Sequence, residues 1–85
     1  MKKEQITELQ MREILANNLR YLRITSKMQL SQKALARYLA LSVKTLRNYE
    51  TGCSSMNAYY LYILSSYYGC TMEELLTKNL NEERV

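Results

Sequence analysis

Residues 30–52 read LSQKALARYLALSVKTLRNYETG, and they hold two short helical patterns separated by an interruption. Ser31 stands just before the first pattern, where its side chain can cap a helix of about two turns. The periodic residues of that pattern are Ala34, Leu35, Tyr38 and Leu39. The stretch 40–42 interrupts that pattern, and Ser42 can cap a second helix. Gly52 then stands where a left-handed residue commonly ends a helix. Two short helices joined by about three or four residues predict a helix-turn-helix.

The apolar residues of the two helices lie on faces that can turn toward each other. The inward positions are Leu35, Ala36, Leu39, Leu41, Leu46 and Tyr49. Ala36 suits this face because the second helix must cross close to the first, and a larger side chain would hold them apart. The opposite side of the second helix then points away from the domain. A helix about 10–12 Å across fits a DNA major groove about 12 Å wide.

The outward side of the second helix carries the candidate base readers Val43, Lys44, Arg47 and Asn48. Lys44 can donate to guanine O6 and N7, and Asn48 can pair with adenine N6 and N7. Asn48 has no capping position in mid-helix, where asparagine is a mediocre helix former. The Val43 methyl groups can meet a thymine methyl, with packing against the turn as an equal alternative. For Lys44 and Arg47 the alternative is a solvated surface.

The rest of the chain predicts an all-α domain. The 85 residues include no proline and only two glycines, so the chain lacks the turn-forming residues that β-hairpins and β-sandwiches need. Leu15, Leu19 and Leu22 recur at i, i+4 and i+7, which predicts a first helix over about residues 13–24. Before it, residues 1–13 form a frayed or helical N-terminal arm.

Two more helices are predicted near the C-terminus. Asn57 can cap a helix over residues 58–68 that Gly69 ends. Thr71, followed three residues on by Glu74, forms a capping box for a last short helix. With five helices in all, the predicted domains are an arm over 1–13, a helix-turn-helix domain over 14–77 and a solvated C-terminal tail over 78–85.

Basic residues concentrate in one block of the chain, whose formal net charge is +4. Residues 14–49 contain no acidic residue, and the acids lie on either side of this block. The seven cations of the block are Arg20, Arg23, Lys27, Lys33, Arg37, Lys44 and Arg47. This asymmetry favours a surface that faces a polyanion. The alternative is a set of ordinary solvated helix faces.

Composition argues against catalysis, metals and membranes. The chain has no histidine, which is the most common general base near neutral pH and a frequent metal ligand. Cys53 and Cys70 have neither CxxC spacing nor a histidine partner, so we expect no metal site. Together with the lack of histidine, this leads us to expect no cofactor and no enzyme activity. The longest apolar run, residues 58–64, is far below the roughly 20 residues of a membrane span. A cytoplasmic protein is expected.

The chain has eight tyrosines and no other aromatic residue. In the fourth helix one face consists of Ala58, Leu61, Leu64, Ser65 and Tyr68. Tyr60, Ile63 and Tyr67 form a second stripe, which one small domain can hardly bury as well. We expect this stripe to contribute to a dimer or other protein interface, where tyrosine is favoured. The alternative is a core rim whose hydroxyl groups lie in water.

The segments LRYLR at residues 19–23, LSQKALARYLALSVKTLRNYETG and GCTMEELL at residues 69–76 resemble the Cro/repressor-type (XRE) helix-turn-helix family. The resemblance covers about residues 15–76. It implies a compact five-helix, lambda-repressor-like domain, bacterial or phage-encoded, that binds double-stranded operator DNA. Proteins of this family commonly bind a pseudo-palindromic site as a homodimer and repress or otherwise regulate transcription. The alternative function is an antitoxin-like or adaptor module that binds a protein partner through the fourth helix.

The resemblance also implies roles for single residues. Gln32 matches the phosphate-contacting glutamine of the family, and Ser31 can reach the same DNA backbone. Thr51 matches a second backbone-contact region. Further backbone contacts are expected from Ser42 and Thr45. Arg23 and Glu50 match a pair that forms a structural salt bridge.

The sequence departs from the family pattern at two places. Ala40 replaces the usual glycine of the turn, so either the turn tolerates a strained residue or its geometry is shifted. The connector between residues 23 and 32 is also about two residues longer than usual, which a surface loop tolerates at low cost.

Overall fold

The computed structural model describes residues 6–81, and this part of the chain consists of five helices and no strand. The helices are α1 (Glu8–Thr25), α2 (Gln32–Leu39), α3 (Val43–Thr51), α4 (Ala58–Tyr68) and α5 (Met72–Thr77). The predicted all-α, five-helix architecture is confirmed, with the helix-turn-helix formed by α2 and α3.

Four predicted helix starts carry the expected caps. Ser31 Oγ accepts a hydrogen bond from the backbone N–H of Ala34 at 3.1 Å, and Ser42 Oγ accepts from that of Thr45 at 3.0 Å. Asn57 caps α4 in the same way. At α5 the predicted capping box is present, with both reciprocal bonds formed. Each cap satisfies N–H groups that a helix start would otherwise leave without partners.

The first helix begins earlier than the sequence analysis predicts. We expected it to start near Glu13, and this was wrong because the helix starts at Glu8. Thr7 caps it, accepting from the Gln10 N–H at 3.1 Å, while the Gln10 side chain accepts from the Thr7 N–H at 2.9 Å. Residues 8–13 of the expected arm are therefore helical, and residues 1–5 lie outside the described residues.

Three helices end in a residue with a positive φ. Gly52 ends α3 and Gly69 ends α4, as predicted, with φ of 82° and 73°. Ala40 ends α2 with φ 59° and ψ 41°. The Leu41 N–H donates to the carbonyl of Ala36 at 2.8 Å, which closes the turn as in a Schellman motif. The turn therefore has a left-handed residue, which glycine would favour, and at Ala40 it tolerates a side chain whose Cβ makes this conformation costly by about 1–2 kcal/mol.

Leucine side chains form the core. Helix α1 packs against α3 and α5, α2 packs against α3, and α4 packs against α5. The buried apolar residues of this cluster are Leu15, Leu19, Leu35, Ala36, Leu39, Leu46, Leu61, Leu64 and Leu75. The predicted inward faces of α2 and α3 thus supply four of its members, and they hold α3 in a fixed position on the domain.

The segment after α5 is attached to α1. Asn18 is fully buried, and its Nδ2 donates to the carbonyls of Leu75 at 2.8 Å and Lys78 at 2.7 Å. Its Oδ1 accepts from the Leu80 N–H at 3.0 Å, and Leu80 packs against the core. The expectation of a solvated tail from residue 78 onward is therefore wrong for Leu80. Residues 82–85 lie outside the described part.

None of the helices described between residues 6 and 81 is long and apolar enough to cross a membrane.

Candidate nucleic-acid interface

Helix α3 has a buried side that fixes its orientation. Leu46 and Glu50 are fully buried, and Val43 shares their side at positions i, i+3 and i+7. Val43 is half-buried and packs against the leucine core. For Val43, the structure therefore describes the packing alternative that the sequence left open.

The opposite side of α3 forms a polar stripe, which we define as Lys44, Arg47, Asn48 and Thr51. Their spacing of i, i+3, i+4 and i+7 places them on one helical face. Lys44, Arg47 and Thr51 are exposed, and Asn48 is half-buried. The stripe thus combines two flexible cations with an amide that can both donate and accept hydrogen bonds. This is the chemistry that reads base edges in a major groove.

At the start of α3, the two hydroxyl groups are bonded to each other. Ser42 Oγ donates to Thr45 Oγ1 at 2.9 Å while it accepts from the Thr45 N–H. The Ser42 proton is used in this contact, whereas Thr45 keeps its own hydroxyl proton for an external acceptor. Ser42 and Thr45 were both expected to contact the DNA backbone. Of their two hydroxyl groups, that of Thr45 has the proton free to donate.

The start of α2 places Ser31 and Gln32 next to each other. Ser31 is exposed, and it accepts from the Ala34 N–H, so it retains its hydroxyl proton. Gln32 Nε2 donates to Glu50 Oε1 at 2.9 Å. An amide nitrogen carries two protons, so one remains for a DNA phosphate. The bond to Glu50 holds this amide in place before any DNA arrives.

Glu50 joins α1, α2 and α3 through its carboxylate and its backbone carbonyl. Arg23 Nε lies 2.8 Å from Glu50 Oε2, and Arg23 Nη2 donates to Oε1 at 3.0 Å. The structure therefore brings together the two residues that the resemblance paired, with side-chain exposures of 15% for Arg23 and 1% for Glu50. Arg20 Nη1 donates to the Glu50 carbonyl. The two hydrogen bonds from Arg23 to the two carboxylate oxygens of Glu50 form the bidentate pair that the planar guanidinium group allows.

The accessible positive charge is smaller than the formal charge of the basic block. Arg20 and Arg23 are half-buried and donate to internal acceptors, so their charge is directed into the domain. The sequence analysis missed the inward position of Arg20, for which no sequence pattern gave a signal. The exposed cations of the block are Lys27, Lys33, Arg37, Lys44 and Arg47.

The predicted tyrosine stripe on α4 is partly used inside the domain. Tyr60 and Ile63 are half-buried and pack against the core. Tyr67 stacks on Tyr38 with a ring-centroid distance of 5.3 Å. Exposed edges of these residues remain available to a partner, so the interface stays a prediction.

Two other positions differ from the sequence analysis, and Tyr68 agrees with it. Tyr38, which the periodicity grouped with the core residues of α2, is 59% exposed, so that grouping was wrong. Ala58, predicted on the inner face of α4, is also exposed because it is the first helical residue. Tyr68 is half-buried on the inner side, and burial raises the pKa of its phenol well above its usual range.

The fold and this surface define a class of protein. A helix-turn-helix whose second helix is fixed by a leucine core and exposes a cationic, hydrogen-bonding stripe is a DNA-binding domain. A protein-family model described as "Helix-turn-helix" matches residues 19–75, which is more than half of the chain. The chain therefore belongs to the helix-turn-helix family of the Cro/repressor (XRE) type, and it is a DNA-binding helix-turn-helix regulator. Searches of curated proteins and of solved structures gave no match.

Proposed function

We propose that this protein is a sequence-specific repressor of transcription that binds double-stranded DNA and inserts α3 into the major groove. The observation that carries the proposal is the polar stripe on α3, exposed opposite a side that the core buries. A regulator of this kind acts in the compartment that holds the DNA. The proposal therefore includes a bacterial or phage gene and a location in the cytoplasm of a bacterial cell.

In this proposal the polar stripe supplies base readout. Lys44 donates to guanine O6 and N7, Asn48 pairs with adenine, and Arg47 reaches either a base or a phosphate. Val43 is given a packing role, because its side chain lies against the core. Each good pair discriminates against the wrong base by about 1–3 kcal/mol.

Contacts to the DNA backbone fix the register of α3 in the groove. Ser31 and Gln32 stand at the first turn of α2, where free N–H groups and the helix dipole also favour a phosphate. Thr45 on α3 can donate its hydroxyl proton to a phosphate. The Thr51 hydroxyl donates to the carbonyl of Asn48 at 3.3 Å, so it has to turn away from that carbonyl to reach a phosphate. Ser42 reaches the backbone with its remaining lone pair only through water. These contacts add affinity that is independent of sequence.

A two-fold homodimer on a pseudo-palindromic operator is part of the proposal. The exposed edges of Tyr60, Ile63 and Tyr67 are the proposed contact between the two copies. Sedimentation with the operator duplex should show two protein chains per duplex. A single chain per duplex at high micromolar concentration would remove the dimer from the proposal.

Selection from a random pool of DNA duplexes at moderate salt tests the proposed function. We expect an enriched pseudo-palindrome whose half-sites lie about 10–10.5 base pairs apart. If the protein binds the pool but enriches no sequence, its binding is only non-specific and electrostatic, and the proposal is overturned. A reporter promoter that overlaps the enriched site should lose activity when the protein is produced, and increased activity would contradict repression.

Salt dependence tests the electrostatic part. If each subunit neutralises about four or five phosphates, the logarithm of affinity should fall with the logarithm of salt at a slope of about −3 to −5 per subunit. A flat response would contradict the role of the exposed cations.

A further inference from the structure

An open apolar groove lies between the α1–α2 connector, the outer side of α2 and the C-terminal half of α4. We call it the aromatic groove and define it by its lining residues, Met28, Leu30, Ala34, Arg37, Tyr38 and Tyr67. Its volume is about 430 Å³. None of the residues proposed for base or DNA-backbone contact lines it.

The groove exposes large apolar side chains. Met28 is 69% exposed, and Tyr38 is 59% exposed although the next residue, Leu39, is buried. Methionine is flexible and polarizable, and it is over-used at surfaces that adapt to protein partners. Tyrosine is likewise enriched in protein interfaces. The composition of the groove therefore matches a protein-binding site better than an ordinary solvated surface.

The apolar surface continues beyond the groove on both sides. A depression of about 260 Å³ shares Tyr38 and extends along α4 to Tyr59, and Tyr60 and Ile63 of the proposed dimer stripe also line it. Another of about 340 Å³ shares Met28 and Tyr67 and extends to Lys27. An extended surface of this kind can hold a chain segment with several apolar side chains, which suits a peptide better than a compact small molecule.

The backbone next to the groove is strained. Gln29 has a φ of 48°, in the left-handed region, and it lies between the two connector residues that line the groove. Its N–H donates to the backbone oxygen of Ser26 at 3.1 Å and to the Ser26 hydroxyl at 3.1 Å, which closes a tight turn. Strain of this kind is concentrated at functional positions.

The charges around the groove have one sign. Arg37 lines it, Lys27 lines the adjoining depression, and Lys33 lies one helical turn before Arg37. No carboxylate lines the groove or the two depressions, as described for residues 6–81. Like charges at i and i+4, such as Lys33 and Arg37, destabilise a helix slightly. A ligand that brings carboxylates would remove this repulsion.

From these observations we infer that the aromatic groove binds an acidic segment of a partner protein, which inserts apolar side chains between Met28, Tyr38 and Tyr67 and pairs its carboxylates with Arg37 and Lys27. DNA is a poorer occupant, because phosphates gain nothing from the apolar lining. A second copy can contact the Tyr67 edge that belongs to the proposed dimer stripe, but it is a poorer occupant of the groove itself. A two-fold contact across the groove would bring the Arg37 side chains of both copies together. The inference goes beyond the proposed DNA-binding function and does not depend on it.

The test uses the full chain with ¹³C-labelled methionine methyl groups and a synthetic peptide as the probe. The peptide has about 14 residues, with leucine at i, i+3, i+4 and i+7 and glutamate at the solvent positions, since this spacing gives one apolar face. A matched peptide with lysine in place of glutamate is the charge control. We expect the glutamate peptide to shift the Met28 methyl signal and to leave those of Met56 and Met72 unchanged, while the lysine peptide shifts none.

Variants locate the site. Arg37→Glu should weaken binding of the glutamate peptide at least tenfold, while Lys78→Glu, the same charge change at another exposed position, should weaken it less than threefold. Tyr38→Ser should also weaken binding at least tenfold, and its urea unfolding curve shows whether the domain stays folded. A duplex with one half-site, which binds a single chain and needs no dimer, should bind Tyr38→Ser as tightly as the wild type. This probe keeps the test separate from that of the proposed function, because Tyr38 packs on Tyr67 of the proposed dimer contact.

Three results would overturn the inference. In the first, the Met28 signal stays unchanged by the glutamate peptide, or Arg37→Glu and Lys78→Glu behave alike. In the second, Met28 shifts with protein concentration alone and Tyr38→Ser abolishes a dimer, so that the occupant is a second copy. In the third, a DNA duplex of random sequence shifts Met28, so that the groove belongs to the nucleic-acid surface.

Discussion

Arg23 and Lys44 belong to the same acid-free block of sequence, yet their charges have opposite uses. Arg23 is held between the oxygens of a buried carboxylate, 2.8 Å and 3.0 Å from its guanidinium nitrogens. Lys44 is exposed on the outer side of α3. Formal charge along a sequence is therefore not the same as charge presented to a ligand. The ion pair of Arg23 with Glu50 fixes the position of α3 on the domain. From that position, Lys44 is proposed to contact the DNA bases.

The largest expected effect concerns the inward side. Glu50→Gln removes the charge that balances Arg23, and losing one partner of a buried ion pair costs about 3–5 kcal/mol. Because Arg23 retains some exposure, we expect a loss near 3 kcal/mol in the free energy of unfolding, measured by urea denaturation. Glu73→Gln, an exposed carboxylate on α5, is the control and should change stability by less than about 0.5 kcal/mol. Equal effects of the two changes would contradict the structural role of Glu50.

Gln32 has both an internal contact and a proposed DNA contact. It donates a hydrogen bond to Glu50, and it is proposed to donate another to a phosphate. Gln32→Ala should lower the free energy of unfolding by about 1.5–3 kcal/mol, the usual worth of a hydrogen bond to a charged group. It should also weaken DNA binding by a similar factor for every duplex. Binding measured on the selected site and on a scrambled duplex checks this. A change confined to the selected site would make Gln32 a base reader instead.

Lys44→Ala tests the outward side alone. We expect a loss of about 1–3 kcal/mol in binding to the selected duplex, and a salt slope reduced by about 1 if a phosphate contact is also lost. The free energy of unfolding should stay within about 0.5 kcal/mol of the wild type, because the side chain is exposed. Lys78→Ala, at another exposed position, is the matched control for binding. If it weakens binding as much as Lys44→Ala, only overall charge matters.

The smallest expected effect concerns Ala40, in the turn that joins α2 to α3. Ala40→Gly relieves a left-handed strain of about 1–2 kcal/mol but adds about 0.5–1 kcal/mol of backbone entropy to the unfolded chain. We therefore expect the free energy of unfolding to rise by up to about 1.5 kcal/mol, measured by urea denaturation. Gly69→Ala is the reverse control, since no atom lies within 4 Å of an added Cβ and only the backbone conformation is penalised. A destabilised Ala40→Gly variant would contradict the strain.

The helices were predictable where local chemistry decides them. Ser31, Ser42 and Asn57 cap their helices because a short polar side chain can reach the N–H three residues on, which depends on sequence alone. The start of α1 was missed although Thr7 and Gln10 carry the pattern of a capping box. That signal was available in the sequence.

Contacts between distant segments were not predictable in the same way. The attachment of Leu80 to Asn18 spans 62 residues and becomes visible only once α5 lies on α1. The inward position of Arg20 depends on where the carbonyl of Glu50 lies, which the fold decides. The same holds for Tyr38, since the period of α2 fits two neighbouring residues and only packing selects Leu39 for the core. The candidate base readers, by contrast, followed from the spacing on α3.

The central claim, that the outer side of α3 reads bases, is tested most directly by repeating the duplex selection with Asn48→Ala. The account predicts that the enriched half-sites lose their preference at one position each, symmetrically, and keep it at the others. An unchanged motif, or an even loss of affinity across all sequences, would show that Asn48 reads no base and would contradict the account.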